Sequence, residues 1–228
     1  AFDQAFMSAA YAKLPVHIIG SDPGVCAAYN GGTHMPFEDC ALYMSIPDAV
    51  VIDPTDYAMI HCLTKKLAES KKFSYMRMVR KGIVKVYDDG ANFEIGKGIQ
   101  LVDGSDVTII AIGMMVQEAL KAADLLKAEG VSARVIDMHT IKPLDTELVL
   151  KAAKETGCIV TSEEHNVIGG LGSAVSEFLS ETCPTPVVKH GVNDVFGRSG
   201  KAPLVMKAYG LTPEGIAEKA RAAIALKK

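Results

Sequence analysis

One imidazole at the end of a glycine-rich stretch is the first chemical feature of this sequence. Residues 20–39 read Gly-Ser-Asp-Pro-Gly-Val-Cys-Ala-Ala-Tyr-Asn-Gly-Gly-Thr-His-Met-Pro-Phe-Glu-Asp. His34 stands there just ahead of a helix, where it could donate to an anionic or hydroxylated ligand or move a proton. It could equally cap that helix or bond to loop carbonyls. Arg80 ends a strand and is followed by Lys81-Gly82. A guanidinium at a strand end suits bidentate contact with phosphate or carboxylate, or it is a solvated strand end. Arg77 points to the opposite face by strand alternation.

The other candidates are weaker. Glu163-Glu164-His165 offers metal-binding side chains, but three consecutive residues are poor ligand spacing. Hydrogen bonding at a turn or across an interface is expected there instead. Gly169, Gly170 and Gly172 precede a helix and superficially resemble a phosphate cradle. They lack the full dinucleotide spacing, so a tight strand-to-helix turn is expected. His139 at a strand end could face the same edge as Glu163. His17, His61 and His190 sit within elements and read as structural. Cys26 has no cation beside it in sequence and reads as a small side chain packed under the loop.

The elements that position these groups alternate. An amphipathic helix is expected over 2–13, a strand over 16–19, a long loop over 20–36 and a helix from about Pro36. A strand over 49–52, a helix to about Glu69 and a strand over 73–79 follow. This pattern predicts a parallel sheet with helices on both faces. It starts on a helix with no obvious first strand, so the domain reads as cut at its N-terminus. A loop of this length in a compact α/β domain is usually functional, and it follows a strand's C-terminal end, where open α/β sheets place ligands. Residues 83–105 are polar and Gly-rich and read as an interdomain linker with an edge hairpin. A second series has strands over 107–112, 133–138, 158–161 and 187–190. Its helices are expected over 115–129, 146–156, 173–180, 202–209 and 213–225. Residues 139–145 and the stretch opening at Glu163 are expected as loops. Asp145 and Thr212 are N-cap residues. The fold class is therefore α/β with two parallel or mixed sheets: a first domain over 1–82, a linker over 83–105 and a second domain over 106–228.

The 228 residues are 49% hydrophobic, enough for two such cores. Net charge is −3 with acidic and basic residues mixed, which predicts neither a nucleic-acid nor a membrane partner. No apolar run approaches a membrane span of about 20 residues, and the N-terminus does not read as a signal peptide. Five scattered cysteines without Cys-x-x-Cys spacing point to reduced thiols in the cytoplasm rather than zinc or disulfides.

Three stretches go further. Gly31-Gly-Thr-His-Met-Pro-Phe-Glu-Asp39 resembles the Gly-x-Thr-His-x-x-x-Glu element of thiamine-diphosphate-dependent transketolases. Ala1-Phe-Asp-Gln4 resembles the helix preceding that element in split-type transketolase subunits. The run from Phe196-Gly-Arg-Ser-Gly200 to Glu218-Lys-Ala220 resembles the transketolase C-terminal domain signature. The Leu144-Asp145 turn and the Glu163-Glu-His165 stretch also fit that domain, so the resemblance covers essentially the whole chain.

This resemblance implies an incomplete pyrimidine-binding domain followed by a C-terminal domain. It implies transfer of a two-carbon ketol unit from a ketose phosphate to an aldose phosphate, in the pentose phosphate pathway. The carbon chemistry would be supplied by thiamine diphosphate with Mg2+ or Ca2+. By motif, His34 matches a loop histidine that contacts the sugar, and Arg80 matches an arginine that binds substrate phosphate. Asn30 stands where transketolases usually have an aspartate on a substrate hydroxyl, and Asp22 near where many have another histidine. An amide still bonds a hydroxyl but carries no charge. Ala28-Tyr29 replaces a Gly-Glu pair. The family's catalytic glutamate and aromatic clasp are expected upstream of Ala1, since Glu38 is the first glutamate. The diphosphate and metal ligands are expected in a partner subunit, and none in this chain. The chain is expected to be inactive alone, within a dimer or another homo- or hetero-oligomer. The rival readings are part of a 1-deoxyxylulose-5-phosphate synthase or a 2-oxo acid dehydrogenase beta subunit, which the Phe196–Ala220 stretch disfavours, and a non-catalytic assembly module.

Overall fold

A computed structural model describes residues 1–79 and 83–227. The first sheet has three parallel strands, β1 (His17–Ser21), β2 (Val50–Ile52) and β3 (Ser74–Met78), in the order β1-β3-β2. The chain opens with α1 (Phe2–Gln4), which continues as a π-helical segment, Ala5–Ala10. The expected N-terminal helix is thus present but wider than an α-helix, with the Tyr11 N–H bonded to the Phe6 carbonyl. Ala5 and Ala9 are buried, and Phe2 lies edge-on to Tyr43 at 6.1 Å.

The helix expected from Pro36 begins later, as α2 (Asp39–Met44). The reason is where the intervening carbonyls go. Pro36 accepts from the Gly24 N–H and Phe37 from the Asn166 N–H, so neither is spent along a helix. α3 (Tyr57–Glu69) is capped by Asp56, which accepts from the Met59 N–H at 3.0 Å.

The second half contains β4 (Ile99–Val102), β5 (Val107–Ala111), α4 (Met115–Ala128) and β6 (Ala133–Asp137). Then come β7 (Thr140–Lys142), α5 (Thr146–Thr156), β8 (Ile159–Asn166), α6 (Leu171–Thr182) and β9 (Val187–Val192), with α7 (Ala202–Tyr209) and α8 (Pro213–Ala225) closing the chain. The sheet order is β4-β6-β5-β8-β9, parallel apart from β4, which runs antiparallel to β6. The β5 run is buried along its whole length, as a strand covered on both faces requires. The architecture is two mixed-sheet α/β domains, as the alternation of elements predicts.

Two expected loops are strands. Residues 139–145 contain β7, which leaves the second half and pairs antiparallel with β2 at the edge of the first sheet. Its partner lies about ninety residues away in sequence, so no local pattern marks it. Residues 163–166 continue β8 instead of opening a loop. Their charged side chains are buried because each finds a partner in another element, as described below.

Arg77 on β3 ties the two halves together. Its side chain is fully buried. Nε and Nη2 donate to the two Asp39 oxygens at 2.8 and 2.6 Å, and Nη1 donates to Asp53 at 3.2 Å and to the Glu164 carbonyl on β8 at 3.0 Å. Tyr75, two residues earlier and so on the same strand face, donates to Asp39 at 2.6 Å. Burial works against the Asp39 carboxylate, but the Arg77 charge and these hydrogen bonds hold it down at about 2. Asp53 has one longer contact to the guanidinium, and its burial outweighs it and raises its carboxyl. An Arg77→Met substitution keeps much of the volume and strands the Asp39 charge. It is expected to lower stability by about 3–5 kcal/mol, read as a drop in the urea midpoint.

Candidate functional site

The stretch between β1 and α2 folds as two tight turns, Gly24–Ala27 and Gly32–His34. One side of it is apolar and faces inward. Val25, Ala27, Ala28, Met35 and Phe37 are buried in one core cluster with α4, α8, Val192 and Val205 of the second half. The loop follows β1 in sequence but is packed on the other domain.

Its polar side lines a cleft of about 870 Å³. Thr33, His34 and Glu38 form one wall, and Asn166, Asp194 and Phe196 of the second half form the other. His34 is exposed on the cleft, and its Nδ1 shares a 2.9 Å hydrogen bond with the Thr33 hydroxyl. The Asn166 amide donates to Asp194 at 3.1 Å across the other wall. Asn30 is exposed at the turn between the two segments, its N–H bonded to the Ala27 carbonyl. Asp22 is half-buried with φ of 54° and donates its N–H to the Met78 carbonyl at the end of β3. The chain beyond β3 leads to Arg80, which lies outside the described residues. The structure thus puts His34 on the cleft wall and Asp22 and Asn30 elsewhere along the same loop.

Asn166, Asp194 and Phe196 carry no sequence signal of a shared cleft, because the fold brings them to His34 from two separate connections. Arg77 did carry a signal. A charge within the otherwise apolar Tyr-Met-Arg-Met run calls for a buried partner.

The β8 acids alternate in their duties. Glu163 accepts the Leu171 and Gly172 N–H groups at 2.8 and 2.9 Å, capping α6. This is the turn expected of the Gly169–Gly172 stretch. Glu164, on the other face, accepts from the Cys26 N–H at 3.2 Å. His165 accepts weakly from the Ala41 N–H at 3.4 Å. Burial pushes the Cys26 thiol well above its ordinary range, and the Glu164 carboxyl adds to this. His139 is buried, bonded through Nε2 to the Glu94 carbonyl. His17 and His190 bond to Ser74 and Ser162.

Asp39, Cys40 and His165 place three metal-capable atoms within 4.8 Å of one another. Asp39, however, spends both oxygens on Arg77 and Tyr75, and that guanidinium opposes a second cation. This cluster therefore does not suit a metal ion.

Comparison with known proteins extends this picture. The family model "Transketolase, pyrimidine binding domain" matches residues 1–83, and "Transketolase, C-terminal domain" matches residues 96–216. A 6-deoxy-6-sulfo-D-fructose transketolase subunit of Clostridium sp. (strain MSTE9) is 43% identical over 96% of this chain and 68% of its own length. An apulose-4-phosphate transketolase subunit of Phocaeicola vulgatus is 39% identical over 96% of this chain and 70% of its own length. A solved structure described as a split gene transketolase, inactive β4 tetramer, superposes with a TM-score of 0.94 at 44% identity, over 100% of this chain and 73% of that one. Fold and family models together define a two-domain α/β chain of the thiamine-diphosphate enzyme class. The chain belongs to the transketolase family and aligns with its split-type subunits.

Burial pushes Asp137 and Glu163 up to about 7 and Glu164 up to about 8. These groups hold protons in the folded chain that the unfolded chain has released. The stability they contribute is present below the ordinary carboxylate range and lost as pH rises through those values. Burial holds the His139 and His165 imidazoles down at about 4. They favour folding as pH rises, but that gain is complete at about 6.5. Thermal unfolding midpoints are therefore expected to fall from about pH 6.5 to about 8.5, by up to roughly 1.4 kcal/mol per pH unit for each such proton.

Proposed function

We propose that this chain is the substrate-side subunit of a split-type transketolase, moving a two-carbon ketol unit from a ketose phosphate to an aldose phosphate once assembled with a diphosphate-binding partner. The observation that carries the reading is His34, exposed on the wall of the 870 Å³ cleft at the end of a loop that leaves a parallel strand's C-terminal edge. The division would be a pyrimidine-binding part over 1–82, a linker over 83–105 and a C-terminal domain over 106–228. Thiamine diphosphate, with Mg2+ or Ca2+, would supply the carbon–carbon chemistry and would be held mainly outside this chain.

In this reading His34 bonds the sugar and handles a proton on a substrate hydroxyl. Asn30 and Asp22 bond hydroxyls further along, and Arg80 binds the phosphate. The two named relatives differ in the sugar end, one sulfonated and one phosphorylated. That end falls to Arg80 in this reading, while Asn30 and Asp22, where the family usually has other side chains, are where choice among sugar hydroxyls is to be sought. Among the described residues no helix is long and apolar enough to cross a membrane, which is compatible with a cytoplasmic enzyme of carbohydrate metabolism. The similar tetramer described as inactive supports a requirement for the partner.

The isolated chain with thiamine diphosphate and Mg2+ is expected to turn over no ketose phosphate in a coupled assay, and addition of the partner subunit to restore turnover. Activity of the chain alone would refute the reading, and turnover with pyruvate in place of a ketose would favour the synthase alternative. In the assembled enzyme His34→Ala is expected to lower kcat/KM by roughly 10²-fold.

A further inference from the structure

The loop that carries His34 is held from the opposite domain at both of its turns. At the first turn, the Glu164 carboxyl on β8 accepts the Cys26 N–H at 3.2 Å and bonds the Val25 N–H as well. The fit is close. Gly24 has φ of 51°, and a β-carbon there would lie 2.6 Å from Glu164 Oε1, so only glycine serves on both counts. Just after that turn the Gly200 N–H donates to the Ala28 carbonyl, and at the second turn the Gly197 backbone packs on Gly32, where a β-carbon would come within 2.5 Å of its carbonyl.

The two contacts differ in kind. The Gly197–Gly200 contact is backbone to backbone. Glu164 is a buried side chain bonded to the first turn. Its own carbonyl is fixed by Arg77 at 3.0 Å, so the carboxyl is presented from an anchored strand.

We propose that Glu164 is a positioning residue for the sugar-binding loop, setting the approach of His34 to the substrate from the far domain by clamping the Gly24–Ala27 turn. The inference rests on the reading of this loop as the substrate loop. Glu164 reaches no reacting atom. It acts through the two peptide N–H groups it orders. Burial pushes its carboxyl up to about 8, so near neutral pH it accepts these bonds largely as the uncharged acid. An amide in its place can do the same through its carbonyl oxygen.

The test uses the chain assembled with its partner and thiamine diphosphate, with fructose 6-phosphate as donor. Glu164→Ala is expected to raise KM for the donor about tenfold, with kcat changed far less, since loop misplacement weakens substrate positioning. Glu164→Gln is expected to stay within about twofold of the wild type, because it keeps the acceptor. Hydrogen exchange over residues 22–38 is expected to speed up in Glu164→Ala and to stay unchanged in Glu164→Gln and His34→Ala. Should Glu164→Ala fail to assemble, Glu164→Asp withdraws the acceptor by one methylene and is expected to shift KM and exchange the same way by less. Unchanged exchange in Glu164→Ala would overturn the clamp. An unchanged KM in Glu164→Ala while His34→Ala lowers kcat/KM would overturn the inference and leave the substrate-loop reading standing. An unchanged KM in Glu164→Ala together with an unchanged kcat/KM in His34→Ala would overturn both.

Discussion

One buried guanidinium holds the two halves of this protein in register. Arg77 satisfies a carboxylate on α2, another at the end of β2 and a carbonyl on β8, and it reaches all of them only when the domains are docked. Taking such a group out of water is costly, and a buried ion pair is weak evidence of net stability. It is, however, intolerant of misdocking, because a slip takes the Glu164 carbonyl away from the buried guanidinium and leaves that donor unsatisfied. Arg77, held by Asp39 within its own half, thus acts as a registration device through the Glu164 carbonyl of the other.

The same seam explains the surplus of buried acids. Asp53, Asp137, Glu163 and Glu164 are buried, too many for one cation to neutralise. The balance is met by hydrogen-bond donors and by protonation. Glu163 and Glu164 each take backbone N–H groups, and Asp137 accepts from Thr55 and from Tyr87, at 2.7 Å for the latter. Burial raises all four carboxyls, so the interface is nearer neutrality than a count of acidic residues suggests.

Docking also decides where a ligand can go. The C-terminal ends of parallel strands are the usual ligand crevice of an open sheet. In the second half that edge is occupied by the first domain. Asp53 bonds through its backbone to Gly113 and His139, and Thr55 bonds to Asp137 at the end of β6. The cleft lies instead along the seam, with the Gly32–Glu38 wall supplied by one half and the Asn166 and Asp194–Gly197 wall by the other. Gly32 against Gly197 is the point where the walls touch.

Much was legible in the chain itself. The alternation of apolar runs and capped helices marked nearly every element, and Asp145, Thr212 and the last two helices fall where local pattern places them, because caps and amphipathic periods are local properties. Loop length, the strand before it and His34 were readable in the same way, as was the family, from Gly31–Asp39 and Phe196–Ala220. What only the tertiary structure decided is non-local. β7 is a strand because β2 offers it an edge. Glu163 to His165 stay in a strand because α6, the loop and α2 supply partners. Arg77, set aside by alternation as facing away from the site, turns out to face the domain seam. The His34 loop, finally, takes its shape from the domain that follows it, since hydrogen bonds and buried apolar contacts depend on closeness in space, whatever the distance along the chain.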